Sequence, residues 1–185
     1  MFEDKQRWNE KYQTCPMPSG VAGIVTDYYG FARGDKALDI ACGRGRNTHF
    51  LASHGFHVDA VDFSDYALSC VEDADNITKI ECDLDTYVID ECSYDLIVNC
   101  YYLDRRLLPY IKAALKPGGV VIFETYIEAY GDDFHQPSNP DYVLRVNELL
   151  HAFIGLDIIY YEEREDLNLR GERVKIASLV AKRHD

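Results

Sequence analysis

Three aspartates and a pair of glycines carry the chemistry that this sequence can do. Asp39 lies inside an apolar run, four residues before Gly43, and Gly43-Arg44-Gly45 follows as a Gly-x-Gly turn. Asp62 and Asp83 close two further apolar runs. A strand that runs into a glycine-rich turn and then a helix holds a nucleotide-like ligand, because the turn lets the backbone approach it closely. An acidic side chain at the end of the next strand can accept hydrogen bonds from both hydroxyls of a ribose, each contributing about 1.5–3 kcal/mol.

Two ligand classes compete for such a site, a dinucleotide and S-adenosylmethionine. In a dinucleotide fingerprint the third glycine lets the helix pack closely under the pyrophosphate; here Thr48 stands in its place. A carboxylate at Asp39 is awkward beside a pyrophosphate but suits a ligand with a cationic end, such as a sulfonium or an ammonium. Asp62 alone would fit NAD equally well. Asp83 is placed to meet an adenine amino group. Three carboxylates at the carboxyl ends of successive strands would line one crevice, as expected at a switch point of a doubly wound sheet.

The elements that position these residues alternate between strand-like and helix-like periods, as in an α/β domain. Residues 36–41, 57–64, 77–83, 94–100 and 119–126 read as five strands. Helices are expected over residues 45–55 and 65–74, with Gly55 just past the end of the first. Leu107, Leu108, Ile111 and Leu115 mark a third, which stops at Pro117 and Gly118. Residues 127–142 form a polar insertion too long for a routine connection, a candidate lid. A helix over 145–153 follows, then strands over 156–164 and 173–182 that suggest an antiparallel hairpin on a mostly parallel sheet. Helices over 20–29 and about 3–13 precede the first strand, the latter as a cap over the domain.

Composition bounds the rest. With 185 residues, 47% of them hydrophobic and 28% charged, the chain fits one domain spanning 1–185. A net charge of −13 disfavours nucleic acid and anionic membranes as partners. No apolar run reaches the roughly 20 residues of a membrane span, and the polar start is unlike a targeting peptide. The six cysteines show neither Cys-x-x-Cys pairs nor zinc spacing, so structural thiols, no metal and a cytoplasmic location are expected.

Taken together, these motifs resemble those of the class I S-adenosylmethionine-dependent methyltransferases. "LDIACGRG" is similar to their first motif, "AVDFS" to the acidic motif of the second strand, "CDLD" to the adenine-side motif and "LKPGGVVIFET" to the helix-to-fifth-strand motif. "RWNEKY", "GRGRN" and "YYLDRRLLP" are similar to the small tellurite-resistance-type and related methyltransferases, from whose pattern the insertion and "NPDYVLRVNELLHAF" depart. The resemblance implies a Rossmann-like fold with a seven-stranded, mostly parallel sheet of order 3-2-1-4-5-7-6, strand 7 antiparallel, and helices on both faces. It also implies S-adenosylmethionine as cofactor and S-adenosylhomocysteine as product.

Family roles carried over residue by residue place Ala41, Cys42, Gly43 and Gly45 under the methionine moiety and Asp39 at its amino group. Asp62 would hold the ribose, Phe63 would lie against the adenine, Asp83 with Leu84 would cover its amino edge, and Ser64 belongs to the same cofactor-binding set. Asn99 would face the sulfonium, and Arg46 would sit at the start of the helix after the turn. The acceptor-side candidates are Trp8, Tyr12, Tyr101, Tyr102, Arg105 and Tyr126, with no catalytic base assigned. The expected function is methyl transfer to a small thiol, chalcogen or oxygen nucleophile by a monomer or homodimer. The alternatives are a non-catalytic sensor or partner subunit, a protein-methylating enzyme, and, least favoured, an NAD-dependent oxidoreductase.

Overall fold

The computed structural model describes residues 2–131 and 133–185, without the side chains of residues 2–4. Its centre is a seven-stranded sheet of order β3-β2-β1-β4-β5-β7-β6. The strands are β1 (Lys36–Ile40), β2 (His57–Asp62), β3 (Ile77–Glu81), β4 (Tyr94–Cys100), β5 (Leu115–Tyr126), β6 (Asp157–Leu167) and β7 (Arg173–Lys182). The first five run parallel, and β7 inserts antiparallel between β5 and β6. This is the strand order implied by the family resemblance.

Residues on the two faces of the sheet enter different cores, as the period of two demands. Leu38, Ile40, Ile97, Val121 and Phe123 pack on one side against Ile111 and Phe153. Ala37, Leu96, Val98 and Ile122 pack on the other against Val25 and Leu51. Because both faces are covered, β4 is apolar at successive positions rather than alternating. Deleting a side chain such as Phe153, fully buried in the first cluster, would cost about 3–5 kcal/mol.

The helices are α1 (Phe2–Thr14), α2 (Gly23–Tyr28), α3 (Arg46–Ser53), α4 (Asp65–Ser69), α5 (Leu107–Ala114) and α6 (Glu148–Phe153). Several are shorter than their sequence patterns suggest. The fourth ends at Ser69 rather than near residue 74, because the chain turns away so that Glu72 N–H can donate to His49 Nε2 at 3.0 Å. The sixth starts only after Asn147, whose φ of +61° interrupts a helix running from Arg145. The fifth strand begins at Leu115, not Gly119; Gly118, at φ +74°, stays in the strand by donating its N–H to Arg183 O.

Segment 127–142 leaves the end of β5 through a bridge between Ile127 and Leu144 and contains a short 3-10 turn at Pro140–Tyr142. Among the described residues, no helix is long and apolar enough to cross a membrane.

Candidate active site

The glycine turn after β1 is built from backbone that ordinary residues avoid. Gly43 and Gly45 take φ of +56° and +79°, and Gly45 caps α3. Ala41 also sits at φ +53°. Glycine would meet no penalty in this conformation, whereas alanine carries a methyl into it. The structure shows that the methyl is held in the left-handed region, at a strain of about 1–2 kcal/mol.

Asp62 closes the turn from the neighbouring strand. Its Oδ2 accepts the N–H of Gly43 at 2.8 Å, and its Oδ1 accepts the N–H of Ser64 at 2.8 Å. Burial pushes its pKa up, against the hydrogen bonds from Ser64, Gly43 and Tyr12 that favour the charged form. The carboxylate is therefore desolvated and fixed in orientation, ready to accept further hydrogen bonds from a ligand. Phe63 lies beside it along the same cavity.

Asp39 is buried beneath the turn, where Thr48 Oγ1 donates to its Oδ2 at 2.6 Å. Burial, with Asp62 as the nearby like charge, raises its pKa to about 7, although Thr48 and Arg46 pull in the other direction. Thr48 thus has a positive role that the missing third glycine conceals: it is the hydrogen-bond partner of Asp39. A carboxyl titrating near neutrality in a dry pocket would be stabilised in its charged form by a cation.

The opposite wall comes from the ends of β4 and β5. Tyr101 sits at φ +62° and donates its phenol to Glu124 Oε1 at 3.0 Å. Glu124, buried, also accepts from Ser178 Oγ at 2.7 Å and from Arg164 Nη2 at 3.2 Å. The Tyr101 ring lies 5.4 Å from that of Tyr126, and the guanidinium of Arg46 lies 5.6 Å from its centroid. Burial raises the pKa values of Tyr101, Tyr102 and Tyr126, so these phenols are neutral.

These walls enclose a cavity of about 480 Å³. Eleven of the residues expected to act line it: Trp8, Tyr12, Ala41, Gly43, Arg46, Asp62, Phe63, Leu84, Tyr101, Tyr102 and Tyr126. Other expected residues serve from behind. Asp39, Cys42 and Gly45 form the base of the turn; Ser64 caps α4 by accepting the N–H of Ala67. Asn99 Nδ2 donates to Tyr102 O at 2.7 Å and so shapes the tyrosine turn. Asp83 accepts from the N–H of Asp85, leaving Leu84 as the lining residue of that pair. Arg105 is away from the cavity, in a bidentate pair with Glu148 and donating to Asp141 O and Val143 O.

The roof comes in part from the N-terminal helix expected as a cap and in part from the β6–β7 hairpin tip, which has no local sequence signal. Lys11 and Cys15–Pro18 follow from α1, and Leu167–Arg170 from the tip of the β6–β7 hairpin. Among the described residues of segment 127–142, His135 alone is a lining residue. Among the described residues, no cluster of three or more His, Cys, Asp or Glu side chains could hold a metal ion.

The chain is similar to known proteins along most of its length. The chain is 27% identical over 165 residues to hemagglutinin 1 of Eikenella corrodens, covering 80% of this chain and 54% of the relative. It is 24% identical to the probable S-adenosyl-L-methionine-dependent methyltransferase TehB of Haemophilus influenzae, covering 95% of this chain and 65% of that protein. The chain therefore spans 54–65% of the length of these curated relatives. The crystal structure of Haemophilus influenzae TehB has the same fold, with a TM-score of 0.74 at 21% identity over 97% of this chain and 66% of that one. So does the 1,6-didemethyltoxoflavin-N1-methyltransferase of Burkholderia thailandensis, at a TM-score of 0.68 and 15% identity over 98% of this chain and 87% of that one. Residues 1–178, the insertion included, match the model of the tellurite resistance protein TehB. The chain belongs to the TehB family and has the fold of the class I methyltransferases.

Proposed function

We propose that this chain transfers the methyl group of S-adenosylmethionine to a small-molecule nucleophile, acting in the cytoplasm without a nucleic-acid or membrane partner. The observation that carries the site assignment is Asp62, pinned across the glycine turn by Gly43 and Ser64 at the mouth of an aromatic-walled cavity. The cofactor supplies a methyl group on a positive sulfur, ready for displacement. Asp62 binds its ribose, the positive-φ backbone of Ala41 and Gly43 makes room for its methionine moiety, and Asp39 compensates its ammonium. Leu84 and Phe63 cover the adenine.

The acceptor-side residues orient and exclude water, which alone can supply about 7–11 kcal/mol of the barrier reduction. Trp8, Tyr12, Tyr101, Tyr102 and Tyr126 make that wall, while Arg105 serves the fold. The Tyr101 phenol donates a hydrogen bond to Glu124 and keeps its oxygen lone pairs available, so it can accept a hydrogen bond from the methyl acceptor. A thiolate or oxyanion acceptor needs no base at all. Membership of a methyltransferase family favours this catalytic reading over a non-catalytic sensor.

Calorimetric titration with S-adenosylhomocysteine, with NAD as the control, tests the donor site. Micromolar or tighter binding of S-adenosylhomocysteine and none of NAD is expected. Binding of NAD alone, or of neither, would overturn the assignment.

A further inference from the structure

Some cations of this acidic chain are paired with carboxylates, as Lys36 is with Asp59, Lys116 with Asp95 and Arg105 with Glu148. Lys11 and Arg170 both line the cavity, on its roof, and no carboxylate among the described side chains lies within ion-pair distance of either.

They approach it from two sides. Lys11 extends from α1 with its ammonium 4.2 Å from the Trp8 ring centroid. Arg170 stands at the hairpin tip, which Asn168 closes by accepting the N–H groups of Arg170 and Glu172. Partial burial lowers the pKa of Lys11, and the positive charges of Arg7 and Arg170 lower it further, while Cys15 opposes them. Like charges held together in this way cost free energy that an anion between them would recover. The carboxylates on this side are already engaged: Glu172 accepts from Asn168 and faces His135, Asp166 faces Arg164, and Asp62 is tied to the glycine turn.

Around the two cations the surface is apolar. Leu167 and Leu169 line the cavity while remaining 63% and 62% exposed, and Met17 is a lining residue as well. Exposed leucines at a cavity mouth mark a surface that a ligand covers.

Building on the methyltransferase reading, we propose that Lys11 and Arg170 form an anion subsite that binds the carboxylate of an aromatic acceptor. The ring would lie between Trp8 and the hairpin leucines. The recognised feature is a charged head on a flat apolar body, which a cavity of this size can hold and an inorganic ion would not fill.

Three phenyl compounds that differ only in the head group test this: 3-phenylpropionate, 3-phenylpropan-1-ol and 3-phenylpropylamine. Each is titrated into the full chain, with and without saturating S-adenosylhomocysteine, at low and high salt. The carboxylate should bind at least tenfold tighter than the alcohol, and the amine most weakly, with the gap narrowing as salt screens the charges. In the Lys11→Met/Arg170→Met double variant the carboxylate and alcohol should bind equally, whereas Lys11→Arg should keep the preference. S-adenosylhomocysteine affinity and thermal midpoint should be unchanged in all variants. Equal binding of the three compounds to the wild type, binding of none, or a preference that survives the double substitution would overturn the subsite. Failure of S-adenosylhomocysteine to bind would instead overturn the donor site, and the head-group preference would still be read on the unliganded chain.

Discussion

The hydroxyl of Tyr12, carried by α1, lies 3.5 Å from Oδ2 of Asp62 at the end of β2. A methyl added at Gly43 would meet the same hydroxyl at 3.0 Å. Tyr12 therefore covers the carboxylate to which the ribose is assigned, and a bound donor has to share or replace that contact.

Replacing the phenol by a phenyl ring should ease this competition. Tyr12→Phe is expected to bind S-adenosylhomocysteine about twofold to threefold more tightly, since a long hydrogen bond contributes only about 0.5 kcal/mol. Calorimetry on the two proteins checks this. Weaker binding by the variant would mean that the hydroxyl contacts the ligand rather than obstructing it.

Asp62→Asn should have the opposite and larger effect. Losing the charge behind the ribose contacts is expected to weaken S-adenosylhomocysteine binding by about 10- to 100-fold, at about 1.5–3 kcal/mol for a charged hydrogen bond. The amide retains an acceptor for Gly43 or Ser64, so a circular-dichroism melt should show a folded chain. Unchanged affinity would remove Asp62 from the site.

Asp39 makes a prediction about pH. Its pKa is near 7 when folded, against an ordinary aspartate value of about 4. Between these values the folded chain retains a proton that the unfolded chain has released, so this group's contribution to stability falls as pH rises. Asp62, shifted in the same direction, adds to the slope. Thermal midpoints of the unliganded chain from pH 4 to 8, compared with Asp39→Asn, should show the wild type losing more stability across that range. Binding a ligand with an ammonium should expel the proton, which calorimetry in buffers of different ionisation enthalpy would count.

Arg105 should matter to stability and not to binding. Arg105→Ala removes two contacts with Glu148 and two with the carbonyls of Asp141 and Val143. Because the pair is partly solvated, a loss of about 1–2 kcal/mol is expected, or a midpoint lower by about 2–8 °C. Affinity for S-adenosylhomocysteine should not change; a large loss would return Arg105 to the site.

The sheet was legible because its signals are local. Each of β1, β2 and β4 is an apolar run ended by a turn, and the hairpin of β6 and β7 follows from two long strands with no helix between them. Trp8 and Tyr12, four residues apart on α1, do share a face, with ring centroids 6.0 Å apart. Local signals do not say which side chain of a turn faces the cavity. Asp83 and Leu84 are adjacent, yet only Leu84 lines it. Arg105 looks like an acceptor contact in sequence because Glu148, 43 residues away, is brought to it only by the packing of α6. Leu167–Arg170 read as an ordinary hairpin loop, since their place over the crevice depends on β7 inserting between β5 and β6.

That insertion has a consequence for how selectivity can change. The hairpin tip is closed by its own hydrogen bonds, from Arg170 and Glu172 to Asn168 and from Gly171 to Asn168 O. It meets the cavity from the end of β6 and β7, whereas the glycine turn follows β1. Residues 167–172 thus form a cassette that can be exchanged while the cradle of the donor stays in place, so the fold lets one methyl source serve different clients.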